Sequence, residues 1–159
     1  MSTTQSQIAH LPIRDCMSVF LISIGPFETV ARAFEIMSVN HIRHLPIIED
    51  GNLLGIVSWS DVLEVRPPDP ANRLDLEGVM AELARLTVSS VMTRELITVH
   101  PNQPLGHAAE LMLEHKIGAL PVLDTEQKVV GLVTESNIFR KIARCWREDN
   151  ELFSGAHHP

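Results

Sequence analysis

The chain has 159 residues, 45% of them apolar, enough for one compact domain or two small joined ones, so wholesale disorder is excluded. A formal charge of −7 argues against a broad duplex-binding surface, and 4% aromatic content without Tyr leaves few platforms for stacking single-stranded nucleic acid. Cys16 and Cys145 share no CxxC spacing and read as reduced thiols, there is no basic-then-apolar leader, and no apolar run approaches about 18 residues, so the expected location is cytoplasmic with no membrane partner.

In chain order, residues 1–12 form an N-terminal segment, polar and expected to fray over 1–8. Leu21-Ile22-Ser23-Ile24 is a short β-rich run ended by Gly25-Pro26. Val30, Phe34, Ile36 and Met37 recur at helical spacing, with Glu28 expected in the first turn. His44–Ile48 and Leu53–Val57 are two apolar runs joined by Glu49-Asp50-Gly51-Asn52, a hairpin signal with Gly available for positive φ. Ser58 stands at the cap of a helix from about Ser60 to Val65. Arg66-Pro67-Pro68-Asp69-Pro70 marks a boundary. Beyond it, Leu74–Leu86 reads as a linker helix with Leu76, Val79, Met80, Leu83 and Leu86 on one face, covering a core edge or serving a partner. Pro104 opens a helix whose buried stripe is Leu105, Ala108, Ala109 and Met112. Ala119–Leu123 and Lys128–Val133 form a second strand pair, and Thr134 caps a helix running through Ile138, Ile142 and Cys145. Each Leu-Pro pair places Pro within a strand, which fits an edge strand or a strand start. Residues 148–159 are expected to be a flexible tail.

The two halves repeat each other. At a spacing of 75 residues Met17 meets Met92, Pro26 meets Pro101, Glu35 meets Glu110, Met37 meets Met112 and Leu45-Pro46 meets Leu120-Pro121. After one inserted residue, Gly55-Ile56-Val57-Ser58 meets Gly131-Leu132-Val133-Thr134. Two such copies are too few for a solenoid and suggest a closed pseudo-two-fold pair. The expected organisation is repeat 1 at 13–65, a linker with one helix at 66–87, and repeat 2 at 88–147. Each repeat reads as β-α-β-β-α.

The chemistry concentrates where the second strand of each hairpin meets its helix. Ser58 and Thr134 aim a hydroxyl and free helix N–H groups at one point, an anion site suited to phosphate. Three residues on, Asp61 can accept from both hydroxyls of a ribose diol. A plain capping Ser with a first-turn Asp is the alternative, and recurrence in both repeats favours sugar and phosphate. Asn137 stands where a second Asp is expected. An amide offers one acceptor oxygen, so the Asp61 turn is expected to be the stronger site and the Asn137 turn weak, altered or empty. Arg43 and His44 precede Leu45-Pro46; Arg43 can hold phosphate oxygens in a fork, against the alternative of an exposed Arg and a core-edge His. The second repeat has Gly118-Ala119 there, so the two sites are not equivalent. Trp59 can stack on a base, although an interface Trp is preferred. His41, His44, His107 and His115 form no metal-ligand spacing, and neither a Gly-rich phosphate loop nor a catalytic constellation is visible, so no metal, catalytic cofactor or enzyme activity is expected.

Taken together, Cys16-Met17 and Val91-Met92, Ile-Arg-His-Leu-Pro-Ile and Ile-Gly-Ala-Leu-Pro-Val, and the turns Gly55…Ser58…Asp61 and Gly131…Thr134…Asn137 resemble tandem CBS domains, named after cystathionine β-synthase. The resemblance covers about 13–65 and 88–141. It implies an α/β fold of two pseudo-symmetric CBS units packed sheet to sheet, with ligand clefts between them. It also implies an adenosyl ligand (AMP, ADP, ATP, S-adenosylmethionine or NAD), with Ile117 and Ala119 beside the adenine and Arg43 and His44 facing phosphates. Ser23, Gly25, Thr98 and His100 occupy positions that touch base or phosphate in the family. Further implications are a homodimer formed through the helices and a separate regulated protein that receives the signal by ligand-linked conformational shift. The alternative is a dimerisation or scaffold module with non-functional clefts.

Overall fold

Two tight hairpins set the architecture. Asp50 and Gly51 both adopt left-handed backbone, φ 48° and 76°, and bring Glu49 opposite Asn52, the mirror-image turn that suits twisted strands. In the second repeat the inserted residue is absorbed by Asp124, whose Oδ1 accepts from the N–H groups of Glu126 and Lys128 at 2.9 Å each. Around these hairpins the computed structural model describes residues 4–66 and 75–154. The elements are α1 (Thr4–His10), a 3₁₀ turn (Ile13–Asp15), α2 (Val30–Asn40), β1 (His44–Glu49), β2 (Asn52–Ser58), α3 (Trp59–Glu64) and α4 (Leu76–Leu83). There follow α5 (Val88–Val91), α6 (Leu105–His115), β3 (Ala119–Leu123), β4 (Val129–Thr134) and α7 (Glu135–Ser154). The fold is the expected α/β class. Among the described residues no helix is long and apolar enough to cross a membrane.

These elements gather into two compact units, one continuous over Leu21–Leu96 and the other built from Met1–Phe20 with Ile97–Pro159. Units and repeats are therefore offset, because the opening segment of each repeat lies in the unit of the other. In the continuous unit, Ile56 and Thr93 exchange backbone hydrogen bonds of 3.0 and 2.9 Å. In the discontinuous unit, Ser18 and Leu132 do the same at 2.9 and 3.0 Å. A second seam repeats the pattern: Val30 N–H reaches Leu86 O at 2.9 Å, and Leu105 N–H reaches Leu11 O at 2.8 Å. Glu28 lies ahead of the Thr29 cap of α2 rather than in its first turn, and its carbonyl accepts from Val88.

The glycines of the repeated turn follow from this exchange. A Cβ on Gly55 would stand 2.7 Å from Met92 Sδ and 2.8 Å from Thr93 O. On Gly131 it would stand 2.6 Å from Met17 Sδ and 3.0 Å from Ser18 O. Only a residue without a side chain admits the neighbouring backbone that closely.

Each unit has its own core. One buries Val30, Ala33 and Met37 of α2 against Leu45, Ile47, Val57 and Val62. The other buries Leu105, Ala108 and Met112 of α6 against Leu120, Val122, Val133 and Ile13. Leu83 of α4 is fully buried in the first core, and Ile8 of α1 packs against the second. The helix expected to be a linker feature is thus integral to the continuous unit, and α1 is its counterpart in the other.

Two expectations shift. Leu21–Ile24 makes a parallel bridge only at Ile24 with Ile47, because Ile22 and Ser23 are exposed and gain nothing from extending it. That bridge explains Pro46: Ile24 N–H donates to Pro46 O at 3.1 Å, so the missing proline N–H falls on the same sparsely bonded edge. The fraying expected at both ends is replaced by α1 from Thr4 and by α7 running to Ser154, while residues 1–3 and 155–159 lie outside the described residues, as do Pro67–Leu74.

Helices α2 and α6 both end on a left-handed residue that is not glycine, His41 (φ 53°) and Lys116 (φ 55°). Lys116→Gly is expected to stabilise the protein by about 0.5–1 kcal/mol, since glycine adopts that conformation without a Cβ penalty. A lower urea midpoint in the variant would contradict this.

Candidate functional site

The junction of β2 and α3 is fixed from both sides by burial of Val57 and Val62. Between them Ser58 is extended (φ −109°, ψ 165°) and ends the strand with its hydroxyl at the helix start. Ser58 N–H and Oγ–H both donate to Asp61 Oδ2, at 2.6 and 2.7 Å, and Asp61 N–H donates back to Ser58 Oγ at 3.3 Å. The expected plain-capping alternative is therefore real: this is a reciprocal capping box. It engages one carboxylate oxygen. Oδ1 accepts from none of the described residues, and Asp61 is half-buried at the surface of the unit.

Register brings the other predicted residues to the same place. His44 lies opposite Ser58 across the hairpin, and Trp59 N–H donates to Arg43 O at 2.8 Å. Arg43, His44, Ser58 and Asp61 thus gather at one end of one hairpin, with Arg43 exposed and His44 half-buried. Trp59 stacks on Phe34 within the unit, ring centroids 4.9 Å apart, so its ring serves packing.

The discontinuous unit repeats the arrangement. Ala119 lies opposite Thr134, and Glu135 N–H donates to Gly118 O at 3.1 Å. Thr134 N–H and Oγ1–H donate to Asn137 Oδ1 at 2.9 and 2.8 Å. Ala119 is buried and Ile117 half-buried against the core, which gives this end of β3 an apolar wall where the other has Arg43 and His44. The structure thus brings Ile117, Ala119, Thr134 and Asn137 together.

One partner escaped the sequence reading. Asn137 Nδ2 donates to Ser18 Oγ at 3.3 Å, 119 residues away in the chain. The available signal was the hydroxyl residue that follows Met in both repeats, Ser18 after Met17 and Thr93 after Met92. The same segment runs beside α7. Burial pushes the Cys16 thiol up, Asp15 and Cys145 reinforce the shift, and Lys141 opposes it. Both cysteines are free. Of the first-strand positions, Ser23 and Thr98 are exposed and Gly25 half-buried, while His100 Nδ1 lies 2.8 Å from Leu123 O.

The CBS domain family model matches residues 13–67 and 88–144. An L-aspartate semialdehyde sulfurtransferase of Methanosarcina acetivorans is 32% identical over 145 residues, which is 90% of this chain and 26% of that protein. The chain spans between 22% and 47% of the length of the first three curated relatives it matches. The CBS domain pair of protein MJ0100, solved with 5′-methylthioadenosine and S-adenosyl-L-methionine, superposes with a TM-score of 0.68 at 28% identity, covering 84% of this chain and 96% of that one. CBSX2 solved in complex with AMP gives 0.68 at 29% identity, covering 84% and 96%.

Proposed function

This chain belongs to the CBS domain family, and from that premise we propose that it is an adenosyl-nucleotide-binding regulatory module. The observation that carries the reading is the capped turn of the continuous unit. Asp61 satisfies Ser58 with Oδ2 and keeps Oδ1 as an acceptor for ribose hydroxyls, while the Arg43 guanidinium supplies positive charge for phosphate. The related structures with AMP, S-adenosylmethionine and methylthioadenosine support the adenosyl class. The candidate ligands are AMP, ADP and ATP, with S-adenosylmethionine and NAD in the same class. In the other unit Ile117 and Ala119 place apolar side chains next to Thr134 and Asn137, where the first unit has Arg43 and His44.

In this reading the module binds without turnover and acts in the cytoplasm on a separate protein. A ligand that favours one arrangement shifts the equilibrium by its differential affinity. A homodimer is part of the proposal. Phe139, Ile142 and Trp146 form a stripe on α7 at 66%, 46% and 68% exposure, an apolar face that a second copy can cover.

The test is thermal unfolding against a panel of adenosyl compounds. A ligand present at about 100 times its dissociation constant is expected to stabilise the protein by about 2.7 kcal/mol. A flat response across the panel would favour the scaffold alternative.

A further inference from the structure

The two turns share a scaffold but present opposite hydrogen-bonding faces. Thr134 N–H can only donate, so the oxygen of the Asn137 amide must face it, and the nitrogen must face Ser18. Asn137 Oδ1 then receives two donors, one for each lone pair, and has no acceptor capacity left for a sugar hydroxyl. Asn137 as a whole is also only 9% exposed. Ser18, although exposed, is held beside it by its backbone. Its backbone is tied to Leu132 by two hydrogen bonds, and Met17 Sδ fills the space above Gly131. The counterpart in the continuous unit behaves differently. Thr93 is tied to Ile56 in the same way and, like Ser18, is exposed, yet no side-chain hydrogen bond among the described residues joins it to Asp61, whose Oδ1 accepts from none of them.

We propose that Ser18 and Asn137 form a latch that closes the second turn to ribose diols, leaving Asp61 as the anchor of one adenosyl site per chain. The proposal rests on the nucleotide reading above, and Ser18 is its specificity-determining residue. A diol approaching Asn137 must break either the Ser18 contact or the Thr134 cap. Approach to Asp61 Oδ1 breaks no hydrogen bond of the described residues.

Two measurements test it, the first without ligand. In Ser18→Ala, amide hydrogen exchange at residues 18 and 132 is expected to quicken about three- to tenfold, the range one hydrogen bond supports, while Thr93 and Ile56 stay unchanged. Unchanged exchange at residues 18 and 132 overturns the latch. The second is calorimetry with AMP. The unmodified chain is expected to bind one equivalent and the Ser18→Ala/Asn137→Asp double variant two. If the double variant does not fold, Asn137→Asp alone is expected to gain a second, weaker site. Two equal equivalents on the unmodified chain, or no second site in any folded variant carrying Asn137→Asp, overturns the single-site claim. AMP binding to none of these proteins overturns the nucleotide reading and the single-site claim together, and hydrogen exchange still decides the latch.

Discussion

Gly55→Val is expected to destabilise the protein by about 3 kcal/mol or more, a large part of the roughly 5–15 kcal/mol that holds a domain together. The first added carbon already falls 2.7 Å from Met92 Sδ and 2.8 Å from Thr93 O, and valine brings two further methyls. The sulfur sits on a flexible side chain and can move. The carbonyl is backbone, and Thr93 is held by both its hydrogen bonds to Ile56, so relief there requires opening the seam. Met92→Ala in a Gly55→Ala background should therefore rescue only part of the loss, which a double-mutant cycle in urea measures. Gly131→Val is expected to act in the same way through Met17 and Ser18. Gly25→Ala is the control, because its nearest neighbour would be Glu28 Cγ at 3.9 Å and its stability should barely change. Equal urea midpoints for Gly55→Val and Gly25→Ala would refute the close-approach account.

Asp61→Ala is expected to weaken adenosyl binding about ten- to a hundredfold, since hydrogen bonds to a charged group contribute about 1.5–3 kcal/mol. It also removes one side of the capping box, for a further loss of about 1 kcal/mol in stability. The two effects separate with Asp61→Asn. An amide oxygen can still accept from Ser58, as Asn137 does from Thr134, so stability should largely recover while affinity stays low. Asn137→Ala is expected to cost stability and leave AMP affinity nearly unchanged. Calorimetry on the two alanine variants decides the ranking: equal losses of affinity from both would place ligand in both turns.

Much of this was legible in the chain because the relevant signals are local. The Asp50-Gly51 turn, the hydroxyl at the end of each hairpin and the residue three places later lie within a few positions of one another. Their conformations follow from φ preferences and capping. The repeat then pointed to two copies of the turn, and register placed Arg43 and His44 beside one, Ile117 and Ala119 beside the other. What stayed hidden was long-range pairing. Periodicity marks an apolar face but does not state which chain segment covers it. Nothing in Met17-Ser18 names Leu132 as its partner, and the matched seams Pro12 with Pro104 and Thr29 with Thr87 share no common residue type. For the same reason the glycines were legible as part of a motif while their cause, a methionine and a carbonyl from the opposite repeat, was not. The Ser18 contact was invisible until the exchange was known, because it joins residues 119 positions apart.

The offset between repeats and units also orders events at the ribosome. One unit, Leu21–Leu96, is a single stretch and can close as soon as its last strand segment emerges. Until residues 97–134 have been made, Pro12 and Ser18 have no strand to bridge, so Met17 and Ser18 must wait through the synthesis of an entire neighbour. During that interval Ile13 and Met17 lack the core they pack into and the Ser18 N–H lacks its partner, and it is there that a nascent copy is most exposed to capture by another.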